Sequence, residues 1–397
     1  MRWLFASLAL ALPAGAAALT LHQAIEMALA RDPQLAALEK ERQAAEFARD
    51  ASRAFLAQNP VLSVEAGPQF GENQAFAAYI VALEQPLELG GQGGARRAAT
   101  DAAVERTTVQ IALRRRTLAS AVREQYAQAV GAAERERLAG ADADFATRAA
   151  EVADARLAEG KLSRLARNAA LVEQARALRS RAAASVESAQ ARAQLRSTIS
   201  LPVDAPMEVE GTLAEMARRT AAPMPERVQR LELQEAQLQR DESAARANLA
   251  DAAATPTLDV SASFERESGS DRLSAIVSIP LPLFDRNAAE RATARTELAR
   301  SQAQLVATER AVVADIAAAR TRLDAARAAV DAFQEGALQA LEENVALATE
   351  AFRAGEIGAT EFILLRREAL EGRLAWLQAL EELALAQIAW ERAVGAP

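Results

Sequence analysis

The chain carries one pattern twice, about 195 positions apart, and each copy joins a pair of alternating strands to a very long helix. Pro60 and Pro256 open the segments VLSVEAG and TLDVSAS, 196 positions apart. Pro86 and Pro280 lie in QPLELG and IPLPLF, 194 apart. Val104, Ile111, Leu118 and Val122 recur as Leu298, Leu305, Val312 and Ile316, each 194 further on. Gly160 in AEGKLS answers Gly355 in AGEIGA at a distance of 195. A duplicated unit of this size predicts an assembly built from repeats rather than a pocket shaped for chemistry.

The strand segments are marked by period two. In 61–67, Leu62, Val64 and Ala66 fall on one face while Ser63 and Glu65 fall on the other. In 76–87, Tyr79, Val81 and Leu83 share a face, and Ala82 and Glu84 take the opposite one. The second copy alternates more cleanly. Leu258, Val260, Ala262 and Phe264 interleave with Thr257, Asp259, Ser261 and Ser263, and Leu273, Ala275, Val277 and Ile279 interleave with Ser274 and Ser278. Alternation of one apolar and one small or polar face is the strand signature. The expected strands are 61–70, 76–87, 257–265 and 273–281, with polar tips at 71–75 and 265–272. Their lengths suit a tilted bilayer crossing of about 9–11 residues. Four strands do not close, since known barrels need about eight, so strands in lipid require several chains to share one barrel. Two soluble hairpins packed on helices are the alternative on this pattern alone.

The helical parts are long. After 21–58, where Asp32-Pro33 marks a fresh helix start, the segments 92–159 and 287–354 hold no proline, about 68 residues each, or roughly 100 Å at ~1.5 Å per residue. Leu138, Phe145 and Val152 are seven apart, as are Leu298, Leu305 and Val312, and Ile316, Leu323 and Val330. That spacing predicts a coiled-coil seam. Glycine turns follow, with Gly160, Lys161, Leu162 and Ser163 in one copy and Gly355, Glu356, Ile357 and Gly358 in the other; return helices at 164–197 and 360–394 come next. The organisation is therefore a first repeat over 19–200, a proline-rich link over 201–225 with an extended stretch near 207–209, and a second repeat over 226–397.

Composition narrows the function. Aromatic residues make up 4% of the chain, so Ala-rich helices in thin layers are expected in place of a thick core. A net charge of −8 argues against a nucleic-acid partner. The absence of cysteine excludes disulfides, thiolate metal sites and a lipid-modified N-terminal cysteine. Arg2, the apolar run 4–12, Pro13 and the A-x-A site at Ala16, Ala17 and Ala18 read as a signal peptide over 1–18, with a mature chain from Leu19. The run is about nine residues, against the ~20 of a spanning helix, and no other stretch is a candidate transmembrane helix. His22 is the one histidine, so no soft-metal site can be assembled and no cofactor is implied. Gly90-Gly91 and Gly93-Gly94 lack the GK[ST] of a phosphate loop and read as a flexible exit from strand to helix. No catalytic constellation is present.

With these residues in view, the chain resembles the TolC family of outer-membrane efflux channels over essentially its whole mature length. EQPLELGGQGGARR at 84–97 and IPLPLFDRNAAERATAR at 279–295 resemble the CzcC-like, heavy-metal branch. The resemblance implies an α plus transmembrane β-barrel fold. It implies a homotrimer that pools four strands per chain into a twelve-stranded barrel in the outer membrane of a Gram-negative bacterium, continued into the periplasm by an α-helical barrel. It also implies a periplasmic adaptor (membrane fusion) protein at the eight turn residues just named, an inner-membrane pump of the RND type, and an equatorial belt holding the link and Trp376 or Trp390. Barrel-lumen positions expected from the alternation are Ser63, Glu65, Glu84, Asp259, Ser261 and Ser263. Three of the six are carboxylates, which favours cations over anions. The family's inward-facing polar constriction beyond the tips maps to Glu361, and in the first copy to Ala166 between Arg164 and Arg167, so an aspartate pattern is not reproduced. Glu361 reads either as a constriction or as a solvated helix residue. The function implied is a passive exit duct for heavy-metal cations, with type I secretion or drug efflux as the alternative cargo and a soluble exported coiled-coil scaffold as the alternative of another class.

Overall fold

A computed structural model describes residues 19–396 except 55, 71–74, 226–229, 268, 269, 334 and 355. The expected signal peptide, 1–18, lies outside the described residues. The elements are α1 (Leu21–Arg31), α2 (Pro33–Ser52), β1 (Val61–Phe70), β2 (Ala75–Leu87), α3 (Gln92–Ala158), α4 (Arg164–Thr198), α5 (Leu213–Ala217), α6 (Leu231–Ala252), β3 (Leu258–Glu267), β4 (Ser270–Ser278), α7 (Ala288–Ala332), α8 (Glu335–Ala354) and α9 (Ala359–Val394). The fold is mostly helical with one small antiparallel sheet, ordered β1-β2-β3-β4.

Two compact units divide the chain, and the division does not follow the repeats. One comprises 34–114 and 229–312, the other 1–33, 115–228 and 313–397. The cut falls inside α3 and inside α7, so each repeat supplies residues to both units.

The first unit holds the sheet and the helical segments next to it. Ser52 on α2 bonds Thr100 on α3 at 3.0 Å. Arg106 on α3 reaches Glu242 on α6 at 2.8 Å, a carboxylate almost wholly withdrawn from water. Asp251 on α6 accepts from Arg291 and Arg295 on α7 at 2.6 and 3.1 Å, and the two guanidiniums hold its carboxyl below the usual carboxylate range. Of the four glycines at this exit, Gly90 alone is closely packed. A side chain at Gly90 would overlap Thr255, and Gly91 caps α3 with φ +77°. Gln92 closes this junction, accepting from the Gly90 amide at 2.7 Å and donating to the Thr255 carbonyl at 2.9 Å.

The second unit is knit by alanines and one tyrosine. Ala127, Ala384 and Ile388 form a buried cluster joining α3 to α9, and Ala143, Ala146 and Ala177 join α3 to α4. Small side chains let such helices approach closely, which concentrates dispersion contacts. Leu19 pairs with Val209 in a parallel bridge. The buried Tyr126 hydroxyl lies 2.7 Å from the Leu19 carbonyl and 2.8 Å from that of Glu210, donating to one at a time, and accepts from the Glu210 amide at 3.1 Å. The 201–225 segment packs on α9 and α3. The buried Trp390 indole donates to Ala222 at 2.7 Å, Gln387 donates to Ala217 at 3.0 Å, and Glu134 accepts from the Leu213 amide.

Three expectations need correction. The helix expected over 287–354 is two helices, α7 and α8, and Phe333 belongs to neither. The Phe333 amide bonds the Val330 carbonyl three residues back, a tightened last turn, and the Phe333 ring leaves the helix line to pack 5.6 Å from Trp376. Asn287, at φ +58°, stands outside α7 as well. The strand expected over 273–281 runs instead over 270–278. Pro280 and Pro282 lack ladder donors, and the chain leaves the sheet through a bond from the Leu283 amide to Leu281 at 2.8 Å. The polar tip expected over 265–272 is mostly strand, because charges of opposite sign face one another across it. Arg266 sits opposite Asp271 and Glu265 opposite Arg272, and both pairs are bridged. Residues 71–74 and 268–269 of the two tips lie outside the described residues.

Candidate functional site

The sheet register decides which side chains share a face. Directly opposed residues point the same way in antiparallel strands. Ser63 opposes Ala82, which opposes Ser263; Glu84 opposes Val61 and Ser261; Glu65 opposes Ile80; Asp259 opposes Pro86 and Ser278. Following these rows places Ser63, Glu65, Glu84, Asp259, Ser261 and Ser263 on one face. The opposite face is built from Leu62, Val64, Val81, Leu83, Val260 and Leu273 with their neighbours, in rows such as Val64–Val81–Phe264–Leu273. This apolar face is open: Leu273 is 82% exposed, Leu62 65% and Val277 62%. At its far end Tyr79 and Phe264 meet at 6.1 Å beside the Arg266–Asp271 pair, an aromatic and charged margin to an apolar band.

At the first turn, Gly160 adopts φ +71° and ends α3 in a Schellman arrangement. The Lys161 amide bonds the Arg156 carbonyl at 2.8 Å and the Gly160 amide bonds Leu157 at 3.0 Å. Ser163 caps α4, its hydroxyl accepting from the Ala166 amide at 3.2 Å. Arg167 reaches back to Asp154 at 2.6 Å and clips the two helices together. At the second turn Gly355 lies outside the described residues. The Glu356 amide bonds Ala351 at 2.9 Å, the counterpart of the Lys161 bond. Gly358 stands at the N-cap of α9 with no side-chain cap, Ile357 is half-buried, and Glu356 is exposed. Glu361 sits in the first turn of α9, exposed, where its charge complements the helix dipole.

Sequence reasoning missed a cluster behind these turns. Phe145 of α3, Phe352 of α8 and Phe362 of α9 meet, with Phe352 stacked on Phe362 at 4.8 Å and Phe145 6.0 Å from Phe362. Arg366 lies 3.3 Å above the Phe145 ring and is held by Asp142 at 3.3 Å. Burial, more than any neighbour, pulls its guanidinium pKa down. Leu162, expected as a turn residue that faces the adaptor, lines the groove beside these rings. The one signal available was the rarity of aromatics in the Ala-rich helices.

Among the described residues no group of three or more His, Asp or Glu is placed to hold a metal ion, and no helix is long and apolar enough to cross a membrane. Residues 225–396 match the family described as outer membrane efflux protein. The chain is 27% identical over 318 residues to the cobalt-zinc-cadmium resistance protein CzcC of Cupriavidus metallidurans, covering 78% of this chain and 75% of that protein. Among solved structures it is similar to CusC, with a TM-score of 0.77 and 17% identity over 95% of this chain and 92% of that one. It is also similar to the outer membrane protein VceC of Vibrio cholerae, with a TM-score of 0.75 and 18% identity over 95% and 96%. The open apolar sheet face and the duplicated hairpins agree with these likenesses: the chain has the fold of the outer-membrane efflux channels and resembles the CzcC-like members of the TolC family.

Proposed function

We propose that three copies of this chain form one passive exit duct across the outer membrane and periplasm, and that its cargo is heavy-metal cations. The observation that carries the duct is the sheet. Among the described residues it has four strands, unpaired outer edges on β1 and β4, and one face of exposed apolar side chains. A sheet edge in lipid costs several kcal/mol per unpaired group, and four strands fall short of the ~8 that close a barrel. Three copies supply twelve. The polar face carrying Glu65, Glu84 and Asp259 then lines the lumen, where carboxylates lower the entry cost for cations. Likeness to CzcC, a cobalt-zinc-cadmium resistance protein, supports the metal cargo. The turns at 160–163 and 355–358 receive a periplasmic adaptor, which connects to an inner-membrane pump of the RND type.

The function is passage, and no bond is made or broken by the chain. Detergent-purified protein should run as a trimer and conduct ions in a planar bilayer. A monodisperse monomer that needs no detergent would support the soluble scaffold and end the duct reading. Cargo is tested separately, by deleting the gene in its native host and measuring growth in cobalt, zinc and cadmium. Unchanged metal tolerance together with loss of a secreted protein or of drug resistance would replace the metal reading by the alternative cargoes.

A further inference from the structure

The aromatic cluster behind the turns opens into a groove of about 290 Å³, walled by α3 and α4 on one side and by α8 and α9 on the other. That is close to the ~300 Å³ at which pockets begin to hold single small ligands. Its floor is apolar, with the three phenylalanine rings and Ala149, Val152 and Ile363. Its rim is cationic, although the whole chain is acidic: five guanidiniums stand against two carboxylates, Asp142 and Glu173. Asp142 is taken up by Arg366, and Arg367 lies between Glu371, at 2.9 Å, and Glu173. Arg148, Arg156 and Arg353 therefore have no carboxylate partner among the described residues. Arg156 instead lies 5.7 Å over the Phe352 ring, at the meeting point of floor and rim.

We propose that this groove binds a small amphipathic anion: an aromatic or alicyclic body against Phe145, Phe352 and Phe362, with one carboxylate, sulfonate or phosphate among Arg148, Arg156 and Arg353. A neutral apolar body leaves the three guanidiniums unanswered. An inorganic anion leaves the rings unanswered. Only a molecule with both parts satisfies the site, and its charged end gains the planar hydrogen bonding that guanidinium gives to oxyanions. Because the walls belong to two hairpins, an occupant touches both. It favours whichever spacing of the hairpins fits it, by as much as its affinity for the two spacings differs.

The test uses the full mature protein in phosphatidylcholine nanodiscs and the fluorescent anion 6-(p-toluidino)naphthalene-2-sulfonate, with binding to empty discs subtracted. The expected result is saturable binding, one probe per protomer, at least tenfold tighter than that of neutral N-phenyl-1-naphthylamine. Arg156→Gln with Arg353→Gln, both on the exposed rim, should weaken the sulfonate about tenfold and leave the neutral probe unchanged. Ala149→Trp, which fills the groove, should abolish saturable binding of both probes while the trimer persists. Equal affinity for the two probes, or an unchanged affinity in the double variant, overturns the proposal. Phosphatidylglycerol discs should not alter the sulfonate's affinity. Competition there would name membrane lipid as the occupant and overturn the soluble ligand. Pore conductance is measured on the same samples. A channel that conducts yet ignores the probe refutes the groove alone, and a groove that fills in a protein without conductance refutes the duct alone.

Discussion

Arginine at position 81 and arginine at position 82 should fail in opposite ways. Val81 is the middle residue of β2, in the apolar row with Val64, Phe264 and Leu273. Ala82 follows it on the other face, between Ser63 and Ser263. If the apolar face meets lipid, Val81→Arg puts a guanidinium near the bilayer midplane at a cost of about 2–4 kcal/mol per copy, hence about 6–12 kcal/mol for three copies assembled together. A trimer carrying that penalty should be lost from the outer membrane. Ala82→Arg points into water and carries no such cost. Its three charges stand one polar row from Glu84, so it should leave the trimer intact and shift the reversal potential toward anions. Trimer recovery from washed outer membranes reads the first effect, and planar-bilayer reversal potential under a salt gradient reads the second. Period two makes the pair decisive, because a one-residue register shift exchanges the faces. Loss of the trimer in Ala82→Arg with a normal Val81→Arg would reverse the assignment of faces. Normal assembly and conductance in both would remove the strands from lipid.

Two further outcomes test the packing. Tyr126→Phe deletes the hydroxyl that ties Leu19 to Glu210, and two hydrogen bonds at ~0.5–1.5 kcal/mol each should cut amide-exchange protection in 19–24 and 207–213 by about five- to a hundredfold, while 164–198 is unaffected. Burial, opposed by the backbone hydrogen bond at Glu210, raises the Tyr126 pKa above its usual value. The phenol's contribution is therefore complete below pH ~10 and is lost as pH climbs through the folded pKa, so a pH-stability curve of Tyr126→Phe should lack that alkaline loss. Gly90→Val drives a side chain into Thr255 and should cost about 1–3 kcal/mol in the thermal stability of the sheet-bearing unit; Thr255→Gly should restore most of it, and absence of rescue would show that the close approach is not the cause.

The strands were readable because alternation survives any arrangement of the sheet: which residues share a face is a property of the chain, and Ser63, Glu65 and Asp259 needed only the register to come together. The first glycine turn was readable for a similar local reason, since Gly160 needs a positive φ that other residues resist. What was not readable depends on partners far along the chain. Nothing within 287–354 forbids a continuous helix; the end of α7 before Phe333 goes with the seat of Phe333 on Trp376, which is 43 positions away. Phe145 fits the sevenfold seam so well that its spacing conceals its neighbours, Phe362 and Arg366, from the other end of the sequence. Tyr126 is one of only two tyrosines, yet its hydroxyl is spent on Leu19 and Glu210, which no local pattern joins to it.

The two turns began as copies and now differ in how their return helices start, which gives Glu361 a role apart from any constriction. α4 begins with the Ser163 cap and the Arg167–Asp154 clip. α9 begins at Gly358, whose backbone lies in the extended region at φ −77°, ψ 160° and offers its helix no side-chain acceptor. Glu361, in the first turn, supplies the one negative charge there, worth about 0.3–1 kcal/mol at an exposed helix start. Glu361→Ala should therefore lower amide protection in the first turn of α9 and leave closed-state conductance where it was. Gly358→Ser should offset that loss, because serine accepts the extended geometry, has nothing within 4 Å of its Cβ, adds the absent acceptor and narrows the unfolded ensemble by about 0.4–1 kcal/mol. Protection restored in the double variant at constant conductance identifies Glu361 as a helix-start residue. A rise in closed-state conductance in Glu361→Ala that Gly358→Ser fails to reverse would return it to the pore.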